Sequence, residues 1–132
     1  MATARYTYGL GRRKSATARA RLFRGKGGIT INDKTPEEYF CGDKALVAEI
    51  TDPLALVNKQ KDFDISIKVT GGGMSGQVDA IKLAISKAIT TDAADLRPVL
   101  KKAGFLKRDP REKERKKYGL RSARKREQFS KR

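Results

Sequence analysis

Residues 61–89 constrain the fold of this chain more than any other stretch. Phe63, Ile65, Ile67 and Val69 alternate with Asp62, Asp64, Ser66, Lys68 and Thr70, the period of a strand with one buried face. Gly71, Gly72 and Gly73 follow. Beyond them Val78, Ile81, Ala84, Ile85, Ala88 and Ile89 recur at the helical period, with Asp79, Lys82, Ser86 and Lys87 expected on the solvent side and Ser75 as N-cap. A strand and a helix that each carry one apolar face must cover one another. The chain is therefore read as an α+β domain.

The rest of the domain follows from shorter signals. Ala16, Ala18, Ala20 and Leu22 alternate with Thr17, Arg19 and Arg21, a half-buried strand with a basic outer face. Tyr6, Tyr8 and Leu10 also alternate and imply an earlier strand, broken by Gly9 and Gly11. Residues 24–28, Arg-Gly-Lys-Gly-Gly, read as a hairpin loop leading to a strand at residues 29–31. The tip of that loop is either attractive to phosphate through Arg24 and Lys26 or simply solvated. Thr35-Pro36-Glu37-Glu38 forms a capping box that starts a short helical turn through Phe40. A helix over about 44–51 should stop near Pro53, and another over 96–103, capped by Asp95, should end at Gly104.

Charge is uneven along the 132 residues. The first 32 hold eight Lys or Arg and no acid; residues 33–106 hold ten basic and eleven acidic; residues 107–132 hold 13 Lys or Arg against four acids. That last block, with a net charge of +9 and only Tyr118, Leu120 and Phe129 as sizeable apolar groups, cannot bury enough surface to fold alone. The chain divides into a domain over 1–106 and a basic arm over 107–132, which extended would reach on the order of 80 Å at roughly 3.3 Å per residue. Within the arm, Asp109-Pro110-Arg111-Glu112 predicts a short helix to about Lys117, ended by Tyr118-Gly119, with extended chain beyond. Such an arm points to a polyanionic partner that orders it.

Catalysis has little support. There is no histidine, and Cys41 is the single cysteine, so His-dependent nucleophiles and multi-cysteine metal sites are absent. No catalytic residue, metal, cofactor, small-molecule substrate or membrane partner is expected. No apolar run approaches the ~18 residues of a membrane span, and residues 1–14 lack a secretory pattern, so a cytoplasmic protein is expected. The glycine turn at 71–76 places backbone N–H groups beside a helix N-terminus, an anion site in principle. It matches neither a Walker A loop nor a dinucleotide fingerprint, and an RNA phosphate is the preferred ligand, with Gln77 beside it.

The stretch GGGMSGQVDAIKLAISKAI at residues 71–89 resembles the signature of the ninth protein of the small ribosomal subunit, bacterial type. GRRKSATARARL at residues 11–22 and the terminal Gln-Phe-Ser-Lys-Arg extend the resemblance over nearly the whole chain. The chain departs from that family's pattern at Leu10, where Gly-Thr-Gly is usual, and at Glu127, where proline is common.

The resemblance implies a small mixed sheet backed by helices, of the ribosomal S-five second-domain type with a left-handed crossover. It also implies a structural, non-enzymatic role in the head of the small subunit, bound to rRNA and near other head proteins. The family's tail threads through rRNA, and its last residues, here Ser130, Lys131 and Arg132, reach peptidyl-site tRNA. The expected rRNA contacts are Arg12, Arg13, Lys14, Arg19 and Arg21 along one edge of the domain, and Gly71, Gly72, Gly73, Ser75, Gly76 and Gln77 at the turn. In the arm they are Arg108, Arg111, Arg115, Lys116, Lys117, Tyr118, Gly119, Arg121, Arg124, Lys125, Arg126 and Phe129, the two aromatics being free to stack. A general RNA chaperone or nucleic-acid-compacting protein would share the basic ends. A phosphate-handling enzyme would have to be built on the glycine turn.

Overall fold

The computed structural model describes residues 5–131. In chain order it forms β1 (Thr7–Arg13), β2 (Ala16–Arg24), β3 (Ile29–Ile31), α1 (Pro36–Tyr39), α2 (Lys44–Leu56), β4 (Phe63–Thr70), α3 (Met74–Asp92), a 3-10 turn (Ala94–Leu96) and α4 (Arg97–Lys102). The four strands make one mixed sheet in the order β1-β2-β4-β3. β2 is antiparallel to both β1 and β4, and β3 runs parallel to β4. The α+β class is as the sequence pattern implied, and the small mixed sheet backed by helices is as the resemblance implied.

The position of β3 corrects the expected hairpin. Residues 25–28 do not fold β3 back onto β2, because β4 lies between them. The loop instead closes over one carboxylate: the backbone N–H groups of Lys26, Gly27 and Gly28 all donate to Asp64 Oδ1, at 3.0, 3.1 and 2.9 Å. Its donors are thus occupied from within, rather than open to a phosphate. These bonds, those from Gly28 and Lys26 foremost, hold the Asp64 carboxyl below its ordinary range.

β1 is continuous through both glycines, so the break expected at Gly9 and Gly11 does not occur. Gly9 and Gly11 are buried, while Tyr8 and Arg12 are exposed. The glycines pair with Ala20 and Ala18 of β2, giving a floor of minimal side chains. α3 lies directly on that floor with Ala80, Ala84 and Ala88: a methyl on Gly9 would lie 2.0 Å from the Ala84 carbonyl oxygen. Under β4 the core is built of larger groups. Phe63, Ile65, Ile67 and Ile31 join Phe40, Ile50, Leu54, Ile81, Ile85 and Leu100 in a single buried cluster. All six residues predicted for the α3 stripe are buried. So is Ser86, expected on the solvent side; its hydroxyl donates to the Lys82 carbonyl one turn back, at 2.7 Å, which makes it tolerable in the core.

Helix ends follow local chemistry, though not always at the expected residue. Thr35 and Glu38 form the reciprocal capping box. Asp43 caps α2 by accepting from Ala45 and Leu46 N–H. α2 then passes through Pro53 to Leu56, because the Pro53 ring is buried with Ile50 and Leu54, and this packing outweighs the one backbone bond a proline cannot make. What stops the helix is Asn58, which adopts φ +54° while Lys59 N–H donates to the Leu54 carbonyl. Gly104 ends α4 in the same manner at φ +83°, with Phe105 N–H on the Leu100 carbonyl. Asp95 makes no side-chain cap and lies in the 3-10 turn that precedes α4.

Candidate nucleic-acid interface

The basic residues of the β1–β2 hairpin fall into two groups with different surroundings. Arg12, Arg19 and Arg21 stand exposed on the sheet face turned away from α3. Arg13 has the opposite parity and is half-buried. Its Nε lies 3.4 Å from Asp79 of α3, its Nη2 lies 3.4 Å from Asp109, and its Nη1 donates to the Arg111 carbonyl at 2.9 Å. Arg13 therefore engages protein groups and ties the edge strand to the start of the arm. Lys14, in the turn at φ +51°, has its Cδ 3.9 Å from where a methyl on Gly76 would be, placing its stem beside the first turn of α3.

The glycine turn is shaped first by steric demand. Gly71 and Gly72 take φ of +73° and +67°. A methyl on Gly71 would sit 2.6 Å from the Ser15 carbonyl oxygen, and one on Gly72 2.9 Å from the Ala16 side chain. Only glycine satisfies both the left-handed backbone and the close approach of the hairpin. Gly73 is the N-cap residue and Ser75 lies inside the helix, so the expected Ser75 cap is not formed. Gln77 is a clip: its Nε2 donates to the Gly71 carbonyl at 2.9 Å, and its Oε1 accepts from the Tyr39 hydroxyl at 2.8 Å. α3 thus begins with no side-chain cap at two exposed residues, Met74 and Ser75, with the Lys14 stem beside Gly76.

The arm carries no helix over 109–117, which corrects the expected one. Asp109 accepts from Arg111 N–H at 3.0 Å, as a cap would, but it also binds the Arg111 guanidinium through both oxygens and faces Arg13. Pairing with the Arg111 side chain, then its N–H, holds the Asp109 carboxyl well below the usual carboxylate range, and Arg111 is raised in return. A carboxylate engaged by two guanidiniums cannot serve a helix that has no apolar face to bury. Between this junction and α3 is a cavity of about 430 Å³, lined by Arg12, Arg13, Lys82, Lys107, Arg108 and Arg111 with Asp79 and Asp109 among them.

Further along, Glu114 pairs with Lys117 and with Arg124 Nε, the latter at 2.8 Å, and is lowered by both, Lys117 foremost. Leu120 bridges to Arg126, and Arg121 N–H donates to the Lys125 carbonyl at 2.8 Å. The segment after Gly119 is thus a small closed loop, and only residues 127–131 leave it without regular structure. Arg108, Arg115, Lys116, Arg121, Lys125, Arg126 and Lys131 are exposed, as are Tyr118 and Phe129, at 100% and 89%. Arg132 lies outside the described residues; Ser130 and Lys131 lie within them. Among the described residues no group of His, Cys, Asp or Glu could hold a metal ion, and no helix is long and apolar enough to cross a membrane.

Cations on an open sheet face, along an arm and beside a bare helix terminus describe a surface for a polyanion. Comparison with known proteins gives the setting. The profile of the family described as "Ribosomal protein S9/S16" matches residues 11–132. The chain belongs to that family. It is also 52% identical over 128 residues to the small ribosomal subunit protein uS9 of Desulfovibrio desulfuricans (strain ATCC 27774 / DSM 6949 / MB), covering 97% of this chain and 98% of that relative. The match spans the hairpin, the glycine turn and the arm, so all three cationic zones belong to one S9/S16-type ribosomal protein, with a structural role in the ribosome.

Proposed function

We propose that this chain is a cytoplasmic component of the small ribosomal subunit that binds rRNA through three zones and reaches peptidyl-site tRNA with its last residues. The domain of residues 1–106 docks on rRNA near other proteins of the subunit head, and the arm of residues 107–132 threads into the RNA. Arg12, Arg19 and Arg21 pair with phosphates from the sheet face. Lys14 with the first turn of α3 forms the second zone, where the glycines let a phosphate approach. In the arm, Arg108, Arg111, Arg115, Lys116, Lys117, Arg121, Arg124, Lys125 and Arg126 neutralise backbone charge, and Tyr118 and Phe129 stack on bases or ribose. Arg13 and Gln77 act as positioning residues that hold the arm root and the turn.

The observation that carries this reading is the exposure of almost every cation of the arm, together with both its aromatics, in a segment with no core of its own. Ser130, Lys131 and Arg132, at the tip, contact the tRNA backbone without reading its sequence, contributing about 1–2 kcal/mol as charge-assisted hydrogen bonds. Two measurements test it. The protein should remain stoichiometric with small subunits through a salt wash, and loss in the wash would support a general RNA chaperone instead. Ribosomes lacking only Lys131 and Arg132 should assemble normally yet bind peptidyl-site tRNA about 5- to 30-fold more weakly. Unchanged tRNA affinity would remove the tail contact from the mechanism.

A further inference from the structure

We infer that the open face of the sheet binds unpaired RNA, with Tyr6 and Tyr8 as stacking platforms for bases. The inference rests on the RNA-binding reading above and specifies the state of the RNA and the residues that take its bases. The outward positions Tyr8, Arg12, Arg19, Arg21 and Lys68 are all exposed, and Tyr6 projects beside them. Pairing sets them in rows across the strands: Tyr8 lies opposite Arg21, and Leu10 opposite Arg19, which in turn lies opposite Lys68. Neighbouring strands are ~4.8 Å apart, so rings and guanidiniums alternate at close range across the sheet face.

Two features distinguish this face from an ordinary solvated one. The first is the orientation of Tyr6. Arg21 Cζ lies 5.2 Å from its ring centroid, and Phe23 lies against it with centroids 5.6 Å apart, yet 48% of Tyr6 stays open, as does 47% of Tyr8. The ring rests against Arg21 and Phe23 before a ligand arrives, and such support lowers the entropy cost of stacking on it. The second is the absence of competing acid. Asp64 shares this face, but its Oδ1 is taken up by three backbone N–H groups, and Asp33 is paired with Lys68 at 2.6 Å. Arg12, Arg19 and Arg21 have no carboxylate partner among the described residues.

Exposed rings on a sheet cannot reach bases stacked inside an A-form duplex, whereas every unpaired base offers a π-face. The test compares the full-length chain and variants for binding a labelled 12-nucleotide oligouridine and a 12-base-pair RNA duplex at one fixed salt concentration. Tyr6→Ala with Tyr8→Ala should weaken single-strand binding about tenfold or more, with less than a twofold effect on the duplex, because the arm's contribution is common to both. Tyr6→Phe with Tyr8→Phe should restore single-strand binding. No loss, or an equal loss on both RNAs, overturns the inference. Displacement of oligouridine by polyglutamate at equal charge would assign the face to an acidic protein and also overturn it. If the tyrosine variants bind like the parent chain while that chain still binds small-subunit rRNA, only this inference fails. If the parent chain does not bind that rRNA, the reading it rests on fails as well.

Discussion

Gly11 of β1 lies in direct contact with the backbone of Ala80 in α3: a methyl on Gly11 would fall 1.9 Å from the Ala80 carbonyl oxygen. One turn along, Gly9 stands in the same relation to Ala84. The helix therefore rests on the strand backbone, and the separation of the two elements is set by the absence of side chains.

Gly11→Ala should accordingly push α3 off the edge of the sheet. Because the clash is with backbone in a packed interior, no rotamer can relieve it, and the cost should be on the order of 3 kcal/mol. Thermal unfolding should shift down by about 10 °C or more. A shift within experimental error would show that α3 can slide at no cost.

Asp109→Asn should loosen the root of the arm without unfolding the domain. The Asp109 carboxyl is depressed by Arg111, so the tether is complete above the ordinary aspartate value of 3.8 and is lost as pH falls through the lower folded value. Across neutral pH the contact should be constant. Limited trypsin digestion at neutral pH should cleave near Arg108 and Arg111 several-fold faster in the variant, with the melting temperature of the domain unchanged.

Asp64 has the same sign of linkage for a different reason. Three N–H donors of the 25–28 loop stabilise its charged form, so the stability it contributes is present above pH ~4 and fades in acid. Asp64→Asn should lower the urea midpoint at pH 7 and narrow the difference between pH 7 and pH 3. A variant whose midpoint keeps the full pH dependence would assign that dependence elsewhere.

Tyr39→Phe should remove one bond of the Tyr39–Gln77–Gly71 clip, leaving Gln77 Oε1 without its donor. A loss of about 1 kcal/mol in equilibrium unfolding is expected. Hydrogen exchange should quicken in residues 71–77 more than elsewhere. Uniform quickening would mean that the clip is not local.

Several of these relationships were hidden from a reading of residues one by one. The alternation on β4 and the stripe on α3 were legible because large aliphatic groups mark a buried face by their own hydrophobicity. Gly9 and Gly11 carry no such mark, so they read as a break in β1 when they are its buried face. Arg13 shares the glycines' parity and is accommodated there through its ion pairs with Asp79 and Asp109. The β2–β3 loop looked like a hairpin because its glycines suit one. Its true partner, Asp64, lies nearly forty residues on, beyond the reach of local patterns. Asp109 likewise carried a capping signature, but Arg13 and Arg111 compete for the same carboxylate. The cationic zones were legible in outline from charge alone, while their division into exposed and anchoring residues required the third dimension.

The contact between β1 and α3 also bears on the order in which the molecule can be made. During synthesis the N-terminal strand leaves first, at roughly 5–20 residues per second thereafter. The helix that covers its glycine face comes from residues 74–92. Until then β1 and β2 can pair but have no lid, and β4, their neighbour in the sheet, is also still to come. Folding is therefore delayed until most of the domain exists. The arm is translated after the domain, so it emerges behind a body that can already hold its root through Arg13.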